Sequence, residues 1–115
     1  MSSSRDALPI EVDCTTVRTK LDAGESFLLL DCREPHEHVI AHIPDAQLIP
    51  MSELPDRVGD IEAYRDSLVI VHCHHGGRSL RVASWLRQNG FTRAQSMAGG
   101  IDEWSQTIDR TVPRY

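Results

Sequence analysis

The sequence predicts an α/β fold in three layers, with a mostly parallel central sheet and helices on both faces. Two short uninterrupted apolar runs, Phe27-Leu28-Leu29-Leu30 and Leu68-Val69-Ile70-Val71, carry that expectation. Runs of this length, bounded by turn residues, suit strands that are covered on both faces, the usual condition of a parallel sheet. The third observation is the helix-periodic sequence between and after them, which supplies the crossovers that parallel strands require.

From Asp13 the stripe Cys14, Val17, Leu21 recurs at helical spacing, and Gly24 follows as a stop. The first apolar run ends at Asp31. Residues 34–40 read as a short helix with Pro35 in its first turn, and Gln47-Leu48-Ile49 as a short strand closed by Pro50. Ser52 is placed to cap a short helix containing Pro55, and residues 61–66 read as helical. The second apolar run continues through His72 to Cys73. Beyond a glycine-containing turn, Ser79, Val82, Ala83 and Leu86 fall at i, i+3, i+4 and i+7, with Arg81, Ser84 and Gln88 opposite. That is an amphipathic helix, ended by Asn89-Gly90. A last strand near Ala94 to Met97 leads through Gly99-Gly100 to a closing helix that carries Trp104, expected in the core.

A chain of 115 residues suits one domain, here 1–115 with its core over roughly 10–107. Apolar residues make up 40% and charged residues 25%, the balance of a soluble globular protein. Three cysteines, Cys14, Cys32 and Cys73, do not form a disulfide framework. The polar start Met1 to Ala7 lacks the features of a secretory signal, and no run reaches the ~18 apolar residues that span a bilayer. A reducing, cytoplasmic location is therefore expected. A net charge of −5 with dispersed Arg and Lys argues against nucleic-acid and anionic-membrane partners.

The segment richest in chemistry is Val71-His72-Cys73-His74-His75-Gly76-Gly77-Arg78-Ser79. A cysteine between a buried strand and a helix start receives converging N–H groups and the partial positive charge of the helix N-terminus. Both favour thiolate over thiol. Gly76 and Gly77 permit the positive φ that such curling needs, and Arg78 adds a planar fork of donors for an oxyanion. For Cys14 and Cys32, one on an apolar helix stripe and one after a buried strand, the reading is a small core hydrophobe. The neighbouring histidines have no zinc-like spacing, so no metal site is assigned; His74 and His75 are read as shaping the pocket mouth. Cysteine phosphatases place five residues between Cys and Arg. Here four separate Cys73 from Arg78, a loop better suited to a single added sulfur than to a phosphate.

Three segments resemble the rhodanese family, particularly its single-domain members. Asp31-Cys32-Arg33-Glu34-Pro35-His36-Glu37 through Ala41-His42-Ile43-Pro44-Asp45-Ala46 to Ile49-Pro50 is similar to the family's upstream signature. Cys73 to Ser79 resembles its six-residue active-site loop with a following Ser, and Ala98-Gly99-Gly100 to Trp104 its C-terminal signature. Ala41 and Asp45 replace two glycines, so a different local turn is expected at Ala41, whereas Asp tolerates φ > 0. Asp31 and Arg33 are expected to make a buried pair, and His42 to be a satisfied packing histidine; all three are read as structural support. The resemblance implies a rhodanese-like fold and persulfide chemistry: Cys73 takes sulfur from a donor such as thiosulfate, and a thiol or cyanide accepts it. Loop N–H groups from His74 to Ser79 would stabilise the persulfide, Arg78 would attract the anionic donor, and no metal or organic cofactor is implied. The alternatives are a persulfide carrier in a protein sulfur relay and a non-catalytic module that binds an anion or a partner. Trp85, beside the polar face of the loop helix, is read as partly core-packed, with exposed docking the alternative.

Overall fold

The computed structural model describes residues 8–115, so the readings for Met1 to Ala7 lie outside the described residues. In chain order the elements are β1 (Glu11–Val12), α1 (Cys14–Asp22), β2 (Leu28–Asp31), α2 (Pro35–Ile40), β3 (Gln47–Leu48), α3 (Leu54–Arg57), β4 (Val69–His72), α4 (Gly77–Gln88), β5 (Ala94–Met97) and α5 (Gly100–Thr107). The sheet order is β1-β5-β4-β2-β3, and every pairing is parallel. The two apolar runs form adjacent central strands, with Leu28, Leu29, Leu30 and Asp31 beside Val69, Ile70, Val71 and His72.

Alternation along these strands divides the core. Leu28, Leu30, Val69, Val71 and Cys73 face Val82, Ala83 and Leu86 of α4 together with Leu54 and Ile61. Leu29, Ile70 and Met97 face the other way, against Cys14 and Val17 of α1 and Ile101 and Trp104 of α5. Helices therefore cover both faces of the sheet, as a run apolar at every position demands. Among the described residues no helix is long and apolar enough to cross a membrane.

Several local expectations need correction. Ser52 does not cap a helix; it sits inside a single 3₁₀ turn, Met51–Glu53, before α3 starts at Leu54. The 61–66 helix is instead a 3₁₀ segment, Val58–Tyr64. The two residues of β1 are too few to show alternation, so the sequence carries no signal for that strand. His42 is exposed, not packed in the core: its Nδ1 lies 3.1 Å from the His38 carbonyl and its ring stacks on His38. Ala41 is extended (φ −156°), which any residue adopts, whereas Asp45 takes φ +73° where the family signature has glycine.

The end of β2 is fixed by a charge pair with no solvent contact. Arg33 Nε and one terminal nitrogen donate to the two carboxylate oxygens of Asp31 at 2.9 and 2.7 Å, with both side chains fully buried. The same guanidinium donates to the Ala41 carbonyl at 2.7 Å and to the Tyr115 hydroxyl at 2.8 Å. Burial works to raise the Asp31 pKa, but the hydrogen bonds from Arg33 and the charge and hydrogen bonds around it win, and hold it at about 2. Removing one member strands the other charge in the core. Asp31→Ala is therefore expected to lower unfolding free energy by about 3–5 kcal/mol in urea titration. A loss below about 1 kcal/mol, the scale of an exposed pair, would show that the pair is not structural.

Candidate active site

Cys73 follows β4 directly and is 1% exposed. Its sulfur accepts the backbone N–H of Gly76 at 3.1 Å and of Ser79 at 3.3 Å. The loop curls this tightly because Gly76 takes φ +119° as the residue that caps the N-terminus of α4. Gly77 is the first residue of the helix itself and needs no left-handed conformation, contrary to the expectation from the glycine pair. The N–H groups that reach the sulfur are thus two of the six anticipated. Ser79 Oγ lies 3.4 Å from the sulfur and 2.7 Å from Ser96 Oγ, so a proton given by Ser96 lets the Ser79 hydroxyl turn towards a thiolate.

α5 fixes the loop from beneath. Ile101 N–H donates to the Cys73 carbonyl at 2.9 Å, and Asp102 N–H to the His74 carbonyl at 3.0 Å. Such close approach requires Gly100, which has φ +61°; a β-carbon there would stand 2.7 Å from the Cys73 carbonyl oxygen. The Gly99-Gly100 pair therefore serves close backbone packing, as the sequence suggests, and Trp104 one turn later is buried.

Arg78 departs from its expected role. Its two terminal nitrogens donate to the two carboxylate oxygens of Glu37, at 2.7 and 2.9 Å. Glu37 also accepts the Tyr115 hydroxyl at 2.7 Å. These bonds, Arg78's foremost, hold the Glu37 carboxyl far below the usual range despite burial. The fork expected to receive an oxyanion is already engaged with a carboxylate. Glu37 itself is absent from the residues that sequence reasoning selects. The signal available is its place in the Asp31 to Glu37 stretch that resembles the family's upstream signature, four residues past Arg33.

His74 is half-buried and stacks flat on Tyr115, with ring centroids 4.0 Å apart. His75 is exposed, its Nδ1 3.8 Å from Asp102. Both stand at the loop's outer edge, apart from the sulfur's hydrogen-bond partners. His72 is fully buried on the opposite face of β4; burial pushes its pKa down to about 4 and keeps it neutral. Among the described residues no group of His, Cys, Asp and Glu side chains converges to hold a metal ion. Trp85 is half-buried and lines an apolar cleft with Met51, Leu54, Pro55, Arg81 and Val82, none of them from the cysteine loop.

The residue missed most plainly is Cys32. It lies one position past Asp31, and Cys73 one past His72, and Asp31 and His72 are register partners. The Cys32 N–H bonds the His72 carbonyl at 3.1 Å, so the pairing continues to this point. Both cysteines belong to the same core cluster, on the face towards α4. The Cys73 thiol is pushed down to about 4, first by the Cys32 thiol donating to it, then by the Ser79 hydroxyl and the two N–H groups, all against burial. Cys14, on the other face, is pushed up to about 12 by burial and nearby carboxylates. One cysteine of the three is poised as an anion.

The rhodanese-like domain family matches residues 13–107 of the chain. The chain belongs to the rhodanese-like family. A sulfurtransferase of Allochromatium vinosum is 35% identical over 96 residues, covering 84% of this chain and 88% of that protein. A putative sulfur carrier protein of Bacillus subtilis, YrkF, is 31% identical and covers 90% of this chain and 55% of its own. Among solved structures, the human single-domain sulfurtransferase TSTD1 superposes with a TM-score of 0.75 at 27% identity, over 87% of this chain and 98% of that one. The chain spans about a quarter of the maize adenylyltransferase and sulfurtransferase MOCS3 relatives that it matches at 33% and 34% identity.

The sign of the Cys73 shift gives a pH test of this rhodanese-like site. A depressed pKa keeps the sulfur ionised at neutral pH, and the charge is lost as pH falls through about 4. Thiolate ultraviolet absorbance, taken as wild type minus Cys73→Ser, is expected to follow that curve. Cys32→Ala, lacking the thiol donor, is expected to titrate at higher pH. Coincident curves for wild type and Cys32→Ala would remove Cys32 from the electrostatics of the site.

Proposed function

We propose that this chain moves sulfane sulfur as a persulfide on Cys73. The observation that carries the reading is a strand-end sulfur held by the N–H groups of Gly76 and Ser79 and left ionised at neutral pH. The thiolate attacks the outer sulfur of a donor. A bond forms from Cys73 Sγ to that sulfur, the donor's own S–S bond breaks, and the donor's inner sulfur leaves with the electron pair. An acceptor thiolate then attacks the outer sulfur of the Cys73 persulfide and restores the Cys73 thiolate. No general base is needed, because the nucleophile already lacks its proton, and two-step kinetics of the ping-pong kind follow. The loop N–H groups act as preorganised donors to sulfur-borne charge in both states.

The state of Arg78 bears on the donor. With its fork neutralised by Glu37, the loop offers less attraction to dianionic thiosulfate than a free arginine would. That favours a persulfide on a small thiol or on a partner protein, in keeping with a role as a persulfide carrier in a sulfur relay. A reducing cytoplasm, where thiols persist, suits this chemistry. The name of the Bacillus relative, a putative sulfur carrier, points the same way.

Cys73→Ser is expected to abolish turnover with every donor while the fold is retained. Glu37→Gln, which releases Arg78, is expected to raise kcat/KM for thiosulfate relative to a glutathione persulfide donor by up to about fivefold, the scale of a partly exposed charge pair. Retained turnover in folded Cys73→Ser would overturn the nucleophile assignment. An unchanged donor ratio in Glu37→Gln would remove Arg78 from donor selection.

A further inference from the structure

Cys32 has no step in sulfur transfer, yet it stands beside the sulfur that does. Neighbouring strands in a sheet lie ~4.8 Å apart, inside the ~4.4–6.8 Å separation of Cα atoms that a disulfide spans. Cys32 and Cys73 are the next residues after the register pair Asp31 and His72, and in-register residues of parallel strands point to the same face. Their shared place in the core cluster below α4 agrees with this. The backbone at both positions is held from the far side, Cys32 by its carbonyl on Met51 N–H at 3.0 Å and Cys73 by its carbonyl on Ile101 N–H at 2.9 Å. Bridging the two sulfurs therefore asks for side-chain rotation, without displacement of either strand. Cys14 lies on the opposite face of the sheet and has no such partner.

We propose that Cys32 and Cys73 form a dithiol redox site whose substrate class is the hydroperoxide, with Cys73 the oxidised sulfur and Cys32 the resolving thiol. In the first step the Cys73 thiolate attacks one peroxide oxygen. The O–O bond breaks, Cys73 becomes a sulfenic acid, and hydroxide or alkoxide leaves. In the second step the Cys32 sulfur bonds to Cys73 Sγ, the S–O bond breaks, and the departing hydroxide takes the Cys32 proton as water. The two sulfurs together lose two electrons to the peroxide. An external dithiol reduces the bridge and restores both cysteines.

The same geometry explains why Cys32 does not discharge the sulfur-transfer intermediate. Next to the Cys73 anion, Cys32 keeps its proton: hydrogen bonding to Cys73 raises its pKa first, followed by burial and the charge on Cys73. A thiol is a poor nucleophile. A Cys73 persulfide remains an anion and holds Cys32 protonated, whereas a sulfenic acid is neutral and releases that constraint. Resolution is thus confined to the oxidised state, before further oxygen makes the damage irreversible.

The inference rests on Cys73 being the ionised nucleophile, and the test separates the two claims. A several-fold molar excess of hydrogen peroxide is added to wild type, Cys32→Ser and Cys14→Ser. Intact mass, non-reducing peptide maps and dithiothreitol-recoverable sulfur transfer are then read. Wild type and Cys14→Ser are expected to lose two hydrogens, join the Cys32 and Cys73 peptides, and regain activity on reduction. Cys32→Ser is expected to gain two oxygens at Cys73 and, measured against its own rate before treatment, to recover about tenfold less activity. Cys32→Ala provides the same comparison should the serine unfold the core. Oxygen addition in wild type without a crosslink, or full recovery in both Cys32 variants, would overturn the proposal. A crosslink in a wild type that moves no sulfur from any donor would sustain the redox site and defeat the sulfur-transfer reading alone.

Discussion

A guanidinium without solvent contact organises this molecule. Arg33 is desolvated completely, and only a full set of acceptors makes that tolerable. Those acceptors are the Asp31 carboxylate at the end of β2, the Glu37 carbonyl within α2, the Ala41 carbonyl at its end, and the Tyr115 hydroxyl. Satisfying one charge therefore locks α2 against the end of the sheet. Locked there, α2 holds Glu37 where it meets Arg78 of the cysteine loop and Tyr115. The pair that looks remote from the chemistry thereby places the carboxylate that engages Arg78 of the cysteine loop.

The second constraint is on the backbone. A sulfur as buried as that of Cys73 would ordinarily stay a thiol, since desolvation penalises the anion. Here the burial is answered by the Gly76 and Ser79 N–H groups, fixed before any reaction by the curl of the loop, and by the neighbouring Cys32 thiol, which lowers the Cys73 pKa. Those donors stay in place because α5 grips the loop through the carbonyls of Cys73 and His74, and Gly100 makes the grip sterically possible. Anion stabilisation at this site thus joins the Cys32 thiol and the Ser79 hydroxyl to two main-chain N–H groups that the loop holds in place.

What is legible in the sequence follows from these causes. Leu28 to Leu30 and Val69 to Val71 announce central strands because both faces are buried, and the buried stripe Ser79, Val82, Ala83, Leu86 of α4 is the one the spacing gives. The loop around Cys73 is legible through Gly76 and its position between strand and helix. Contacts set by tertiary pairing are not. Glu37 on Arg78 joins residues 41 apart, and Cys32 beside Cys73 depends on the order in which β2 and β4 pair. A cysteine after a buried strand reads as core packing until its neighbouring strand is known. His42 misleads for the converse reason: it sits next to buried Ala41 and Ile43, yet points to solvent.

Persulfide formation on Cys73 is tested most directly by the mass of the intact protein after incubation with a sulfane-sulfur donor and removal of excess reagent. Wild type is predicted to gain one sulfur, located at Cys73 and removed by cyanide, while Cys73→Ser gains none. A wild type that acquires no sulfur from thiosulfate, glutathione persulfide or a persulfidated protein donor would contradict it, as would sulfur bound equally well by Cys73→Ser.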